Sequence, residues 1–326
     1  MKTLKINLLY RCTAKCSHCR FYCENESELM EPDFKTPYAV ARGLKENFGL
    51  DMAVVLGGEP TLFREGMINL IRRIDELGVH TRLETNAWWA ESLEKASALV
   101  SDLRDTQTEI MLSLDGFHDP YVSIDRVANA IRACIDAGVR YNLEIPYLDP
   151  DHKTHAIDRR TESLLRQLQT EFHIEIPRYE GGIVFTGRAA DEFGDLFAQD
   201  RGVPAEPCTS VPWWMDSDID SLDLLILEPG GYITKGCGIA IGNVHDQDLI
   251  EMLNTYQACD NPIFKILLSE GPLGLARLAE QYGYALKKDY ADKCHLCHEA
   301  RQVLKPYYDQ FLKPDQHYRR QPNSKF

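Results

Sequence analysis

Ten cysteines in a chain of 326 residues make sulfur the first place to look for chemistry. Three of them, Cys12, Cys16 and Cys19, lie in the stretch Cys-Thr-Ala-Lys-Cys-Ser-His-Cys, directly after the apolar run Leu4 to Tyr10. That run reads as a strand, so the thiols fall on the loop leaving its C-terminal end. Thiolates are soft ligands, and three on one loop can anchor an iron-sulfur cluster, whereas a closed structural cluster takes four protein ligands. A cluster held by three keeps one iron open to a small molecule. The bland readings are three unrelated cysteines or a zinc site, and zinc sites more often show paired Cys-x-x-Cys or Cys/His knuckles. Cys23 adds a fourth thiol nearby. As a ligand it would close the open iron, so it is read as a non-ligand.

Composition narrows the setting. With 44% hydrophobic and 26% charged residues the chain can bury one large or two moderate cores. No apolar stretch is long enough to span a bilayer, and no signal peptide opens the chain, which predicts a cytoplasmic protein without a membrane partner. Cysteines in a reducing compartment are better explained by metal than by disulfides. The net charge of −14 argues against a nucleic-acid partner, which would require clustered Lys and Arg.

The elements that must position the thiols follow from periodicity. Helical spacing over about Pro37 to Phe48 precedes a short apolar strand, Met52 to Leu56. Strand then helix repeats: Thr81 to Glu84 before a helix ending near Val100, and Ile110 to Leu114 before one over Val122 to Ala137. Strands Arg140 to Leu148 and Ile174 to Thr186 flank a helix over Thr161 to Phe172. This alternation predicts an α/β fold of parallel βαβ units. Several strands end in polar or glycine-rich turns: Gly57-Gly58-Glu59-Pro60, Glu84-Thr85-Asn86, Ser113-Leu114-Asp115-Gly116 and Gly187-Arg188-Ala189. Two glycines permit close backbone approach, and the proline fixes the turn into the next helix. Ser113 and Asp115 share one face, as do Asn142 and Glu144.

The Cys-x3-Cys-x2-Cys spacing after a first strand, with Gly-Gly-Glu-Pro roughly forty residues later, resembles the radical S-adenosylmethionine (SAM) enzymes. The resemblance implies a partial (β/α)6 barrel with its site at the C-terminal strand ends. It also implies a [4Fe-4S] cluster on Cys12, Cys16 and Cys19, whose open iron takes the amino and carboxylate groups of SAM. Reductive cleavage of SAM then gives a 5′-deoxyadenosyl radical. By the same likeness His18 lies near the adenine, and Gly57, Gly58, Glu59 and Pro60 receive the amino group. Asn86 belongs to a Thr-Asn-Gly-like turn in which Ala87 replaces glycine. Ser113 meets the SAM carboxylate or ribose, with Asp115 bracing the turn, and Gly187 lies against the adenine. Asn142, with Glu144, is either a ribose contact or a satisfied polar pair. Trp88 and Trp89 either pack or line the substrate opening.

A boundary near Gly202 to Pro207 divides a barrel, residues 1–203, from a smaller α+β domain, 204–326. Cys208, a β-hairpin ending at Cys237, a helical spacer and the Cys294-x-x-Cys297 pair resemble the Twitch domain, a shortened SPASM domain. By that likeness these four hold a second, auxiliary [4Fe-4S] cluster with no open iron. Zinc on Cys294, Cys297 and either His295 or His298 is the rival, and the Cys-x-x-Cys-His string also fits covalent haem attachment. Cys134 and Cys259 are read as buried small apolar residues.

The combined expectation is a radical SAM oxidoreductase that passes an electron from the substrate radical to the auxiliary cluster. Flavodoxin or ferredoxin would serve as the external electron donor. Candidates for the general base are Asp216, Glu180, Tyr179 and His118. A barrel that starts within the first residues leaves no N-terminal peptide-recognition domain, which favours a small metabolite over a peptide substrate. The reading from another class is a non-catalytic iron-sulfur carrier or metal-binding module.

Overall fold

The computed structural model describes residues 2–25, 31–211 and 217–318, and the general-base candidate Asp216 lies outside them. Two compact units are present: Thr3–Cys16 with Cys23–Ile183, and Ser17–Tyr22 with Met1–Lys2 and Val184–Phe326.

The first unit is a parallel sheet with helical crossovers. Its strands are β1 (Thr3–Asn7), β2 (Met52–Leu56), β3 (His80–Thr85), β4 (Glu109–Ser113), β5 (Arg140–Tyr147) and β6 (Arg178–Gly182). Each pairs in parallel with the next. The crossovers are α1 (Lys35–Phe48), α2 (Arg64–Asp75), α3 (Leu93–Leu103), α4 (Ile124–Ala137) and α5 (Ala156–Phe172). Side chains alternate along each strand, so one face carries Leu4, Ile6, Ala53, Val55, Leu83, Ile110, Leu112, Leu143 and Ile145, all fully buried. The opposite face carries the polar side chains, Lys5 and Asn7, Arg82 and Glu84, Glu109 and Ser113, Asn142 and Glu144, among the apolar Val54, Leu56 and Met111. An apolar face sealed by helices and a polar face turned inward fit the partial barrel of the radical SAM type.

The first strand ends at Asn7, short of Tyr10, and two other elements depart further from expectation. The sixth strand is shorter than Ile174 to Thr186 because Pro177 has no N–H for the ladder, although its carbonyl accepts from the Leu143 N–H at 2.9 Å. Helix α5 begins five residues early, where the His155 side chain accepts the Ile157 N–H and caps its first turn.

The second unit holds α6 (Arg188–Phe197), a two-residue antiparallel pair β7 (Ser210–Val211) and β8 (Ser217–Asp218), and the antiparallel hairpin β9 (Leu224–Leu227) and β10 (Tyr232–Thr234). Then come β11 (Ala240–Asn243), α7 (Leu249–Asn254), α8 (Pro262–Glu280) and α9 (Lys293–Leu304). Helices α8 and α9 build its core through Ile263, Phe264, Leu267, Leu275, Leu296 and Leu304. Helix α8 breaks at Gly271, whose φ of 66° precedes Pro272. A Cβ at Gly271 would stand 2.1 Å from the Glu206 carbonyl oxygen, so the break lets the chain pass just ahead of Cys208. Of the two remaining cysteines, Cys134 is buried, and burial pushes its thiol up to about 12. Cys259 is exposed, which corrects the expectation of a buried residue. It sits in the single 3₁₀ turn Ala258–Asp260, and Ala258 takes the inward position instead.

Candidate functional site

The loop carrying Cys12 and Cys16 is fixed by the backbone of the Gly-Gly-Glu-Pro turn. The Gly58 N–H donates to the Leu9 carbonyl at 2.6 Å, and the Glu59 N–H to the Arg11 carbonyl at 2.9 Å. A Cβ at Gly57 would lie 2.6 Å from Leu9 O, and one at Gly58 only 2.0 Å from Arg11 O. What the two glycines admit on this side is the loop's own backbone. On its far side the loop is tied by the Cys12 N–H to Glu24 O at 3.1 Å, a Lys15–Glu24 ion pair at 2.7 Å and the Tyr121 hydroxyl to Lys15 O at 2.8 Å.

Glu59 ties two strand ends together. Its carboxylate is 0% exposed; Oε1 accepts from the Thr61 N–H and from the hydroxyls of Thr61 and Thr85, and Oε2 from the Asn86 N–H at 3.0 Å. Burial pushes its pKa up, and the four donors pull against that. The carboxylate that the family likeness assigns to the SAM amino group is thus turned to the β3 turn. Pro60 starts the 3₁₀ turn Pro60–Phe63 that Glu59 caps. Asn86 donates through Nδ2 to the Thr13 hydroxyl at 3.1 Å and lies 3.9 Å from Cys12 Sγ, which also accepts the Ala14 N–H at 3.4 Å. N–H donors around a sulfur suit a metal-bound thiolate. Ala87 adopts φ 65°, the left-handed conformation that glycine takes at no steric cost. Trp88 and Trp89 donate their indole N–H groups to Thr61 and Thr85, so both pack onto the same knot.

At the end of β4, Asp115 is 1% exposed and accepts the N–H groups of Phe117 and His118 at 2.8 Å each, bracing the turn. Its second oxygen holds His118 Nδ1 at 2.7 Å, while the imidazole also hydrogen-bonds Cys16. Burial lowers the pKa of His118, but the Asp115 carboxylate and the Cys16 sulfur outweigh it, and the net direction is well upward. The imidazole thus adds a hydrogen-bond partner at the Cys16 sulfur, as Asn86 does at Cys12. Ser113 lies in register with Glu144, whereas Asn142 donates to Glu109, which also pairs with Arg82 at 2.6 Å. Lys5 reaches Glu84 at 3.7 Å. Burial, then the charge of Glu84, pushes Glu144 well above the ordinary carboxylate range. The Lys5, Glu84 and Glu144 cluster was missed as a group in the sequence, although the alternation of charge with apolar residues on β1, β3 and β5 signals it.

In the second unit, Gly187 (φ 59°) packs on the end of the cysteine loop: its Cβ would stand 2.3 Å from Arg20 O, and the Arg188 N–H donates to Cys19 O at 2.9 Å. His18 and Cys19 are half-buried. Among the remaining base candidates, Glu180 is held by Arg178 at 2.6 Å and Lys153 at 3.1 Å; burial raises its pKa, yet these cations carry it below the ordinary value, which makes it a weak proton acceptor. Tyr179 is 45% exposed.

Cys208, Cys237, Cys294 and Cys297 line one cavity with Lys235 and Arg301. Each arrives for a local reason. The α8 break leaves Leu267 O to accept the Cys208 N–H at 2.8 Å. Cys237 has φ 59° between Gly236 and Gly238, both left-handed, so the turn swings it out of the hairpin. Cys294 and Cys297, three residues apart, share one face of the first turn of α9, which Asp292 caps. Burial and the neighbouring cysteines push Cys208 up to about 12; burial, then Asp292, then the other three cysteines push Cys294 well upward, and burial raises Cys297 despite Arg301. A bound cation would reverse that repulsion, so four soft donors around one cavity fit an iron-sulfur centre. The zinc rival loses its histidines. His298 accepts from Gly187 N at 3.5 Å and pairs with the Tyr22 hydroxyl at 3.2 Å, while His295 accepts the Ala291 N–H and pairs with Glu299. Lys235 and Arg301 escaped sequence reasoning, although Arg301 stands one helical turn after Cys297.

Residues 6–156 match the family model of the Radical SAM superfamily, and this stretch is a radical SAM domain. Over 176 residues the chain is 24% identical to the "Putative peptide biosynthesis protein YydG" of Bacillus subtilis, covering 52% of this chain and 54% of that protein. It is 26% identical over 152 residues to a "Probable GTP 3',8-cyclase" of Saccharolobus islandicus, covering 43% of this chain and 45% of the other. The matches thus span about half the length of these relatives. The solved structure "Native anSMEcpe with bound AdoMet" superposes with a TM-score of 0.51 over 95% of this chain and 98% of that one, at 15% identity, a likeness of fold.

Proposed function

We propose that the protein is a radical SAM oxidoreductase with two [4Fe-4S] clusters, one on Cys12, Cys16 and Cys19 and an auxiliary one on Cys208, Cys237, Cys294 and Cys297. The observation that carries the reading is the Gly58 and Glu59 backbone paired onto the loop of Cys12 and Cys16 within a radical SAM domain. When bound, the first cluster and SAM supply a 5′-deoxyadenosyl radical that takes a hydrogen atom from the substrate.

The chain's own residues do the rest. Asn86 and His118 place hydrogen-bond donors at Cys12 and Cys16, Asp115 holds His118, and Ser113 with Glu144 offers polar groups to the nucleoside. Glu144, whose pKa burial and the charge of Glu84 raise, joins the candidates for proton transfer. The substrate is a small metabolite or a peptide side chain. The GTP 3',8-cyclase relative supports the first, and the relative named for peptide biosynthesis supports the second.

Anaerobic reconstitution tests the proposal. About eight irons per chain are expected, with reductant-dependent formation of 5′-deoxyadenosine that disappears when Cys12, Cys16 and Cys19 are all alanine. Persistence of 5′-deoxyadenosine in that variant refutes the site. A non-catalytic carrier predicts no heat on titration with SAM. Scoring turnover with small metabolites against peptides encoded beside the gene separates the two substrate classes.

A further inference from the structure

Arg301 and Lys235 are each only 1% exposed, and among the described residues neither forms an ion pair with a carboxylate, although the charges of Asp223, Asp218 and Asp220 act on Lys235 from further off. Lys235 spends its ammonium on the carbonyls of Ser221 and Leu224 (2.8 Å to the latter). Arg301 donates from Nε to Cys297 Sγ at 3.3 Å and from its Nη1 to the Cys237 carbonyl and the Tyr318 hydroxyl. A buried guanidinium with no carboxylate partner, and a buried ammonium with only distant ones, are costly in a protein interior unless an anion shares the space. Both line the cavity of Cys208, Cys237, Cys294 and Cys297. Four thiolates around a [4Fe-4S] core of charge 2+ carry a net charge of −2, which one guanidinium and one ammonium balance. Net charge and hydrogen bonds to the ligand sulfurs are two of the terms that set a cluster's potential.

We infer that Arg301 and Lys235 are the built-in counter-charges of the auxiliary centre, and that Arg301, through its Nε–H to Cys297 sulfur bond, raises the centre's one-electron reduction potential. This rests on the four-cysteine cluster proposed above. Arg301 acts here as a positioning and tuning residue. Its guanidinium bridges ligands from two elements, Cys237 on the hairpin turn and Cys297 on α9, so charge and geometry are applied together. Lys235 supplies charge alone, because its donors point to carbonyls.

The test uses the full chain with Cys12, Cys16 and Cys19 changed to alanine, so that the auxiliary centre alone is read. Iron and zinc are counted, and the reduced fraction is followed by electron paramagnetic resonance in a potentiometric titration. With four irons per chain retained, Arg301→Gln is expected to lower the reduced-to-oxidised ratio at fixed potential about tenfold, a shift of ~59 mV for one electron. Lys235→Gln should shift it the same way by less. An unchanged potential in Arg301→Gln overturns the inference. If that variant fails to hold iron, Arg301→Lys decides: a lowered potential with four irons supports the role, and an unmoved one overturns it. Zinc, or no metal, in the unmutated cavity removes the auxiliary cluster itself, and the inference falls with it.

Discussion

Replacing Glu59 by Gln tests whether the knot between the β2 and β3 turns holds the site together. The amide can keep its carbonyl at the Oε1 position, where three donors converge, only by turning its NH₂ toward the Asn86 N–H. That loses one hydrogen bond to a charged acceptor and leaves a buried donor facing a donor, a cost of about 2–4 kcal/mol. Relief of the buried charge, visible in the raised pKa of Glu59, offsets part of it, so a net loss of about 2 kcal/mol is expected at pH 7. Urea unfolding of the iron-free protein measures it, with tryptophan emission as a local probe because Trp88 and Trp89 donate to the same two threonines. The midpoint should fall without a change in slope. The amide of Asn86, loosened beside Cys12, should also lower iron occupancy of the first centre. A stability within about 0.5 kcal/mol of the parent, the range of an ordinary surface change, would refute the reasoning.

Three further outcomes follow from contacts described above. Gly58→Ala places a methyl 2.0 Å from the Arg11 carbonyl oxygen, and since backbone cannot yield as a side chain does, iron content should fall from about eight to about four per chain as the first centre alone is lost. Glu144→Gln should matter by pH: a carboxyl whose folded pKa is raised contributes stability below its unfolded value and loses it as pH rises through the folded one, so the variant gains on the parent at pH 8 and not at pH 4. Equal differences at both pH values would sink that assignment. Glu299 runs the other way, because burial raises its pKa but His295 and Lys287 hold it down at about 2, against an ordinary 4.5. At about 1.36 kcal/mol for each pH unit, its interactions contribute about 3 kcal/mol above pH 4.5 that fades as pH falls toward 2. Glu299→Gln should therefore be destabilised at pH 7 and match the parent near pH 2 in the denaturant midpoint.

The order of strands and helices was legible because each parallel strand is a short apolar run, and runs such as Met52–Leu56 need no tertiary information to be found. The thiols were legible for the same reason: spacing along one loop or one helical turn is a local property. What the sequence hid depends on distant parts of the chain. That Gly58 admits the backbone of Arg11, or that Glu59 faces Asn86, requires β1, β2 and β3 to be neighbours in a known register. Cys259 was misplaced because one 3₁₀ turn reverses which residue points inward, and no period of 3.6 can show that. Arg301 went unread because its partners, the Cys237 carbonyl on the hairpin turn and the Tyr318 hydroxyl, lie far from it in the chain.

The pairing of Gly58 and Glu59 with Leu9 and Arg11 has a consequence for what a substitution there can do. The first half of the cysteine loop takes its course from main-chain bonds to the neighbouring turn, a network in which no sulfur takes part. A change in that turn therefore reaches the thiols through the backbone, and would displace them without touching any of their side chains.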